Sequence, residues 1–114
     1  MRRVHLTIEC AKYVEVHSKE IEKKFKYSVQ ILSEQKVIHT KLAKKLIDTE
    51  FYELRISVGN EHRIILLATD NPNLIESQKV VLLNGFVKKN KKDYKKVIEI
   101  ARKLVKKYKI IDDE

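Results

Sequence analysis

Two arginines, Arg55 and Arg63, and a run of lysines opening at Lys88 and Lys89 are the residues of this chain with most chemistry to offer. A guanidinium is planar, stays charged at any physiological pH, and can hold two oxygens of one phosphate. The lysines are concentrated. Residues 88–109 carry ten lysines and Arg102 against only Asp93 and Glu99, which accounts for the whole formal net charge of +9. Charge gathered in one stretch suits a polyanion such as nucleic acid or an acidic protein. The plain alternative is a solvated lysine-rich helix face. Tyr94 lies inside the run, flanked by Lys91, Lys92, Lys95 and Lys96. Packed positive charge favours tyrosinate, so Tyr94 is a candidate proton-transfer group; it also opens an apolar stripe and can equally be a core anchor.

Other chemistries find little footing. His5, His17, His39 and His62 show no metal-ligand spacing, and the one cysteine, Cys10, completes neither a zinc site nor an internal disulfide. No histidine is tied to Cys10 by pattern, so it reads as a small core residue. Two glycines in all leave no glycine-rich phosphate loop. Asp112-Asp113-Glu114 is an acidic tip without defensible metal spacing. Neither a metal nor an organic cofactor is expected.

The elements that must position these groups fit one domain, since the chain has 114 residues, 43% hydrophobic and 36% charged. The longest apolar run, Ile64 to Ala68, is far short of the ~20 residues of a membrane span. His5, Thr7 and Glu9 break any apolar signal region after Arg2 and Arg3. A lone cysteine suits a reducing compartment, so a cytoplasmic protein without membrane contact is expected.

Residues 1–50 read as a first strand, Val4 to Cys10, then a helix from Ser18 to Glu34 with Ser18 as N-cap, then a second helical piece from Thr40 to Ile47. The two helices are expected to pair as a hairpin on one face of a sheet. Residues 51–89 switch to a period of two. Tyr52, Leu54, Ile56 and Val58 share one face, and Phe51, Glu53, Arg55 and Ser57 the other. A turn at Gly59-Asn60 returns the chain through His62 to Thr69. A further strand through Val80 to Phe86 is apolar on both faces and should be central. Residues 90–109 form the cleanest element, a helix with Tyr94, Val97, Ile98, Ala101, Leu104, Val105 and Tyr108 on one stripe. Ile110 to Glu114 read as a short tail. The whole is a compact α+β domain with an antiparallel sheet.

The register decides where Arg63 points. A two-residue loop at Gly59-Asn60 sets Ile56 opposite Arg63 and puts the guanidinium in the core. A three-residue loop sets Ile56 opposite Ile64, Leu54 opposite Leu66 and Ser57 opposite Arg63. Arg63 then joins Arg55 and Glu53 on the other face. Burying an unpaired arginine is costly, so the second register is preferred. His62 falls on the opposite face from Arg63. Arg55, Arg63 and the Lys88-Lys89 strand end would then form a phosphate cradle. For Arg55 the competing reading is a same-strand ion pair with Glu53; for Arg63, Lys88 and Lys89 it is simple solvation.

Three motifs in order, Tyr52-Glu53-Leu54-Arg55, His62-Arg63-Ile64 and Leu82-Leu83-Asn84-Gly85-Phe86-Val87-Lys88-Lys89, resemble the RelE/ParE superfamily, most closely its HigB-type toxins. The resemblance runs from about Leu42 to Tyr108. It departs at His62, where the family usually has an aromatic residue, at Lys92-Asp93-Tyr94, where the family has Lys-Thr-Pro, and at Leu104, where an arginine is common. It implies a RelE-like fold and a toxin of a type II toxin–antitoxin system. Such a toxin cleaves mRNA on the ribosome without metal and is silenced by a cognate antitoxin, expected to be a helix-turn-helix protein. The 2′-hydroxyl must then lose a proton, the phosphate's charge must be stabilised, and the 5′-oxygen must gain a proton. The candidate catalytic residues are Arg63, Tyr94 and Lys89; the candidate RNA-contacting residues are Arg55, Lys88, Lys91, Lys92 and Lys95. A ParE-like gyrase inhibitor without nuclease activity and a non-catalytic basic RNA-binding module are the alternatives.

Overall fold

The computed structural model describes residues 1–110, so the acidic tip and all of the expected tail after Ile110 lie outside the described residues. The elements are β1 (Arg3–Leu6), α1 (Ile8–Glu15), α2 (Lys19–Glu34), β2 (Ala43–Lys45), β3 (Tyr52–Val58), β4 (Asn60–Ala68), β5 (Lys79–Val87) and α3 (Asp93–Lys107), with a 3-10 turn at Leu74–Glu76. They build a five-stranded sheet in the order β1-β5-β4-β3-β2. β1 runs parallel to β5, so the sheet is mixed where a purely antiparallel one was expected; the β2–β3, β3–β4 and β4–β5 pairs are antiparallel.

The chain leaves its first strand early. Thr7 caps α1, its hydroxyl accepting from the Cys10 amide at 3.0 Å, so Ile8 onward is helix and the expected strand to Cys10 stops at Leu6. Ser18 caps α2 as expected, accepting from the Ile21 amide. The second expected helix is a strand instead. Ala43–Lys45 pair with Leu54–Tyr52 as a short edge strand whose two lysines face solvent, a common guard against edge-to-edge pairing. The helices of the first half are therefore α1 and α2, and both do pack on one face of the sheet.

Two apolar layers result. Cys10 and Val14 of α1 and Phe25 and Leu32 of α2 pack against Leu54, Ile56, Ile64, Leu66, Val80 and Leu82. On the other face α3 buries Val97, Ala101 and Leu104, with Ile98 half-buried beside them, over Phe51, Ile65, Leu67 and Leu83. This is the stripe the sequence predicts for the last helix, and Ile65 and Leu67 lie beneath it. β5 contributes to both layers. Leu83 has no partner in the ladder, because Ile65 pairs with Asn84 and Leu66 with Leu82. This bulge turns Leu83 and Asn84 toward the same face, where the Asn84 amide donates to the Val97 carbonyl at 3.3 Å. At its far end α3 is tied to α1, since Lys107 and Tyr108 both donate to the Glu9 carboxylate at 2.7 Å. These contacts hold Glu9 down to a pKa of about 2.

The β3–β4 register differs from expectation by two residues. Leu54 pairs with Ile64, Arg55 with Arg63 and Ile56 with His62. The turn is centred on Gly59, whose φ of +69° is the left-handed conformation that glycine adopts without strain. A shift of two keeps every side chain on its face, so the separation of Arg63 from His62 stands. Among the described residues no helix is long and apolar enough to cross a membrane.

Candidate functional site

On the α3 face the strands bring Glu53, Arg55, Glu61 and Arg63 into one row. Arg55 and Arg63 stand directly opposite each other, an arrangement that repels unless an anion lies between them. Glu53 is that anion. Its buried carboxylate takes Arg55 Nε and Nη2 at 3.0 Å each and faces Arg63 Nε at 3.5 Å, a charge contact without a hydrogen bond. The same-strand pair considered for Arg55 is thus formed. Arg63 Nη1 donates to Glu61 at 3.1 Å and to the His62 carbonyl at 3.1 Å. Ser57 extends the row by donating to Glu61 at 2.9 Å.

Arg63 is the main correction. The register expected from the sequence sets its guanidinium outside the core, yet its side chain is only 6% exposed. It can be buried because Glu53 and Glu61 neutralise it; the cost that keeps an arginine out of the core falls on an unpaired one, and this one is paired. Arg55 remains 31% exposed and is the arginine that faces solvent.

Tyr94, in the first turn of α3, closes over this row. Its hydroxyl donates to Glu53 Oε1, and its ring meets Phe86 edge-on at 5.3 Å. Lys88 Nζ lies 5.8 Å from the ring centre. Burial first, and then the Glu53 carboxylate, push the Tyr94 phenol up to about 12. The expectation of a lysine-stabilised tyrosinate is therefore reversed. The Tyr94 hydroxyl keeps its proton for the hydrogen bond to Glu53, so the charged group it touches is an acid.

Arg55, Lys88, Lys91 and Tyr94 line a cleft of ≈ 440 Å³ between α3 and the β2–β3 hairpin, with Glu53 also on its wall. Lys44, Lys45, Leu46, Ile47 and Ile98 complete the lining. Lys89, Lys92 and Lys95 are exposed and do not line it. Asp93 sets this part of the chain, since its carboxylate accepts from the Lys89 and Asn90 amides at 3.0 and 3.1 Å and pins the turn from β5 into α3. Of the eight candidate residues, the fold thus brings Arg55, Lys88, Lys91 and Tyr94 together and sets Arg63 beneath them. Sequence reasoning missed Lys44 and Lys45 because it read their strand as a helix, and gave Glu53 only the part of a salt-bridge partner. Among the described residues no cluster of His, Cys, Asp or Glu could hold a metal ion.

A second polar cluster lies on the opposite face. His62 is 1% exposed, its Nδ1 is 2.6 Å from the Tyr13 hydroxyl, and its Nε2 is buried without a partner. The His17 ring lies tilted against Tyr13 at 4.3 Å and meets His62 edge-on at 5.0 Å. Burial, followed by His17, lowers the His62 pKa. Tyr13 also covers Gly85 so closely that a Cβ there would sit 2.5 Å from its ring.

Comparison with known proteins bears on this geometry. The family described as "Phage derived protein Gp49-like (DUF891)" matches residues 12–106. No curated protein sequence matches the chain. Among solved structures, a chain of the intact E. coli RelBE toxin–antitoxin complex is similar with a TM-score of 0.54 and 16% identity, over 79% of this chain and 100% of that one. The isolated E. coli RelE toxin is similar with a TM-score of 0.52 and 13% identity, over 87% of this chain and 97% of that one. The chain shares the RelE fold.

Proposed function

The chain belongs to the Gp49-like phage-derived family, and we propose that it is the toxin of a type II toxin–antitoxin pair, a HigB-type endoribonuclease that cuts mRNA on the ribosome. The observation that carries this reading is the cleft in which Arg55, Lys88 and Lys91 face outward beside the protonated Tyr94. Cleavage would proceed by attack of the ribose 2′-hydroxyl on the adjacent phosphate, with the hydroxyl's proton passing to water and without metal. Arg55 and Lys88 would hold the phosphate oxygens as charge develops. The Tyr94 hydroxyl would give its proton to the departing 5′-oxygen, a role that suits a phenol kept neutral at pH 7. Arg63 would act from beneath, fixing Glu53 and through it Arg55 and Tyr94. Lys89, Lys92 and Lys95 would attract RNA to the rim without touching the reacting atoms.

The likeness to a chain of the RelBE toxin–antitoxin complex supports a cognate antitoxin as partner, a helix-turn-helix protein acting in the cytoplasm. The test is to express the chain alone and with the product of its neighbouring gene, and to map mRNA ends in both. Growth arrest with new mRNA ends, relieved by the neighbour, is the expected result. Arrest with intact mRNA and inhibited gyrase would replace this reading with a ParE-like toxin.

A further inference from the structure

We infer that Glu53 Oε1 is a switch point, at which Arg63 Nε replaces the Tyr94 hydroxyl and so frees the tyrosine's proton for the reaction. The inference rests on the reading of Tyr94 as the proton donor in RNA cleavage. In the resting protein two donors meet on one atom. The Tyr94 hydroxyl donates to Glu53 Oε1, and the same oxygen lies 3.5 Å from Arg63 Nε. Arg63 is only 6% exposed, and among the described residues this Nε has no hydrogen-bond partner. A buried donor left unpaired is costly, so a small movement that closes the gap is favoured once the oxygen is free to accept it.

Tyr94 cannot serve the reaction where it stands. A phenol has one O–H, and this one is spent on Glu53. To protonate a departing 5′-oxygen the hydroxyl must turn away, which strips a donor from a buried carboxylate. The neighbouring donors are committed. Arg55 Nε and Nη2 both bind Glu53 Oε2, and Arg63 Nη1 is held by Glu61 and the His62 carbonyl. That leaves Arg63 Nε. When an RNA phosphate settles on Arg55 and Lys88, its charge competes for the Tyr94 hydroxyl. The tyrosine turns to it, and Arg63 Nε closes on Oε1, so Glu53 stays ionised and fully bonded. As the bond from phosphorus to the 5′-oxygen breaks, the proton passes from Tyr94 to that oxygen. The tyrosinate left behind regains a proton from water, which has received the one lost by the 2′-hydroxyl. Glu53 and Arg63 are thus positioning residues that act through Tyr94.

Two readings test this. The first compares the free wild type with Tyr94→Phe, which removes the competing hydroxyl and keeps the ring. In protein labelled with ¹⁵N-arginine, the Arg63 Nε–H signal should move downfield in Tyr94→Phe, and its exchange with water should slow about tenfold, the scale of one added hydrogen bond. A signal that the substitution leaves in place overturns the inference. The second follows mRNA cleavage on stalled ribosomes, at saturating protein, through a cycle of Arg63→Lys and Tyr94→Phe. Lysine keeps the charge and lacks Nε. Arg63→Lys alone should slow the cut about tenfold, the loss of one hydrogen bond to a charged group. It should add nothing in the Tyr94→Phe background, since both changes remove the same proton. An equal loss in both backgrounds makes Arg63 structural or a direct phosphate ligand; it overturns the inference and leaves the nuclease reading standing. If Arg63→Lys fails to fold, the first reading decides alone. A wild type that cuts no RNA removes both the inference and the reading beneath it.

Discussion

Glu53→Gln should cost the fold about 3 kcal/mol, because one buried carboxylate separates two arginines that the sheet sets face to face. Glutamine keeps the shape and removes the charge. Arg63, 6% exposed, would then keep the His62 carbonyl and one carboxylate, Glu61, whose side chain is 52% exposed. A pair of that kind is worth at most about 1 kcal/mol. Removing one partner of a buried ion pair typically costs about 3–5 kcal/mol. The lower end applies because Arg55 is 31% exposed and can recover some hydration. For a domain of this size that is a fall in Tm of roughly 10–20 °C. Urea titrations of wild type and E53Q at pH 7 measure the difference directly, with thermal scans as a second reading. A loss below about 1 kcal/mol would refute the reasoning, since Arg63 would then have found other compensation or hydration.

Three further outcomes follow from the geometry. The lowered His62 pKa means that the unfolded chain takes up a proton near pH 6.5 while the folded one resists it; stability should be full above that pH and fall as pH drops below it. His62→Phe should flatten the slope of unfolding free energy between pH 6.5 and 5, and an unchanged slope would show that His62 is not the responsible group. Gly85→Ala should destabilise by about 1–3 kcal/mol in urea titration, because the new Cβ would meet the Tyr13 ring at 2.5 Å and push α1 off the sheet; Gly85→Ala with Tyr13→Ala should recover part of that loss. Glu9→Gln should speed hydrogen exchange at the last turn of α3 and leave the rest of the helix protected, since Glu9 holds Lys107 and Tyr108 at 2.7 Å.

Much of this was legible in residue order. The period of two from Phe51 fixed which side chains share a face, and the stripe from Tyr94 to Tyr108 located α3. The register is misplaced by two because a three-residue loop is what keeps Arg63 off the core face when a two-residue loop is the only alternative, whereas the turn centres on Gly59 alone and keeps the same faces. The first helix was hidden because Val4 to Cys10 alternates weakly, yet Thr7 followed by Cys10, Tyr13, Val14 and His17 at spacings of three and four is a capped helix pattern. Thr40 to Ile47 deceived in the opposite sense, since Leu42 and Leu46 fit both helix and strand spacing, and only pairing with β3 decides. The burial of Arg63 could not be read from one strand. It depends on Glu53 from the neighbouring strand and on the cover supplied by Tyr94 some forty residues later.

The most direct test of the central claim is the chemistry of mRNA ends after incubation with translating ribosomes in a purified system. The account predicts new fragments ending in a 2′,3′-cyclic phosphate and a 5′-hydroxyl, and none when the cut nucleotide is 2′-deoxy. Arg55→Ala should slow their appearance by about 10²–10³, the usual loss for one preorganised charge-stabilising group. Tyr94→Phe should slow it by about 10²–10⁴, the range for a positioned proton donor. Intact mRNA with the wild-type protein, or cleavage that Arg55→Ala and Tyr94→Phe leave at full rate while both remain folded, would contradict it.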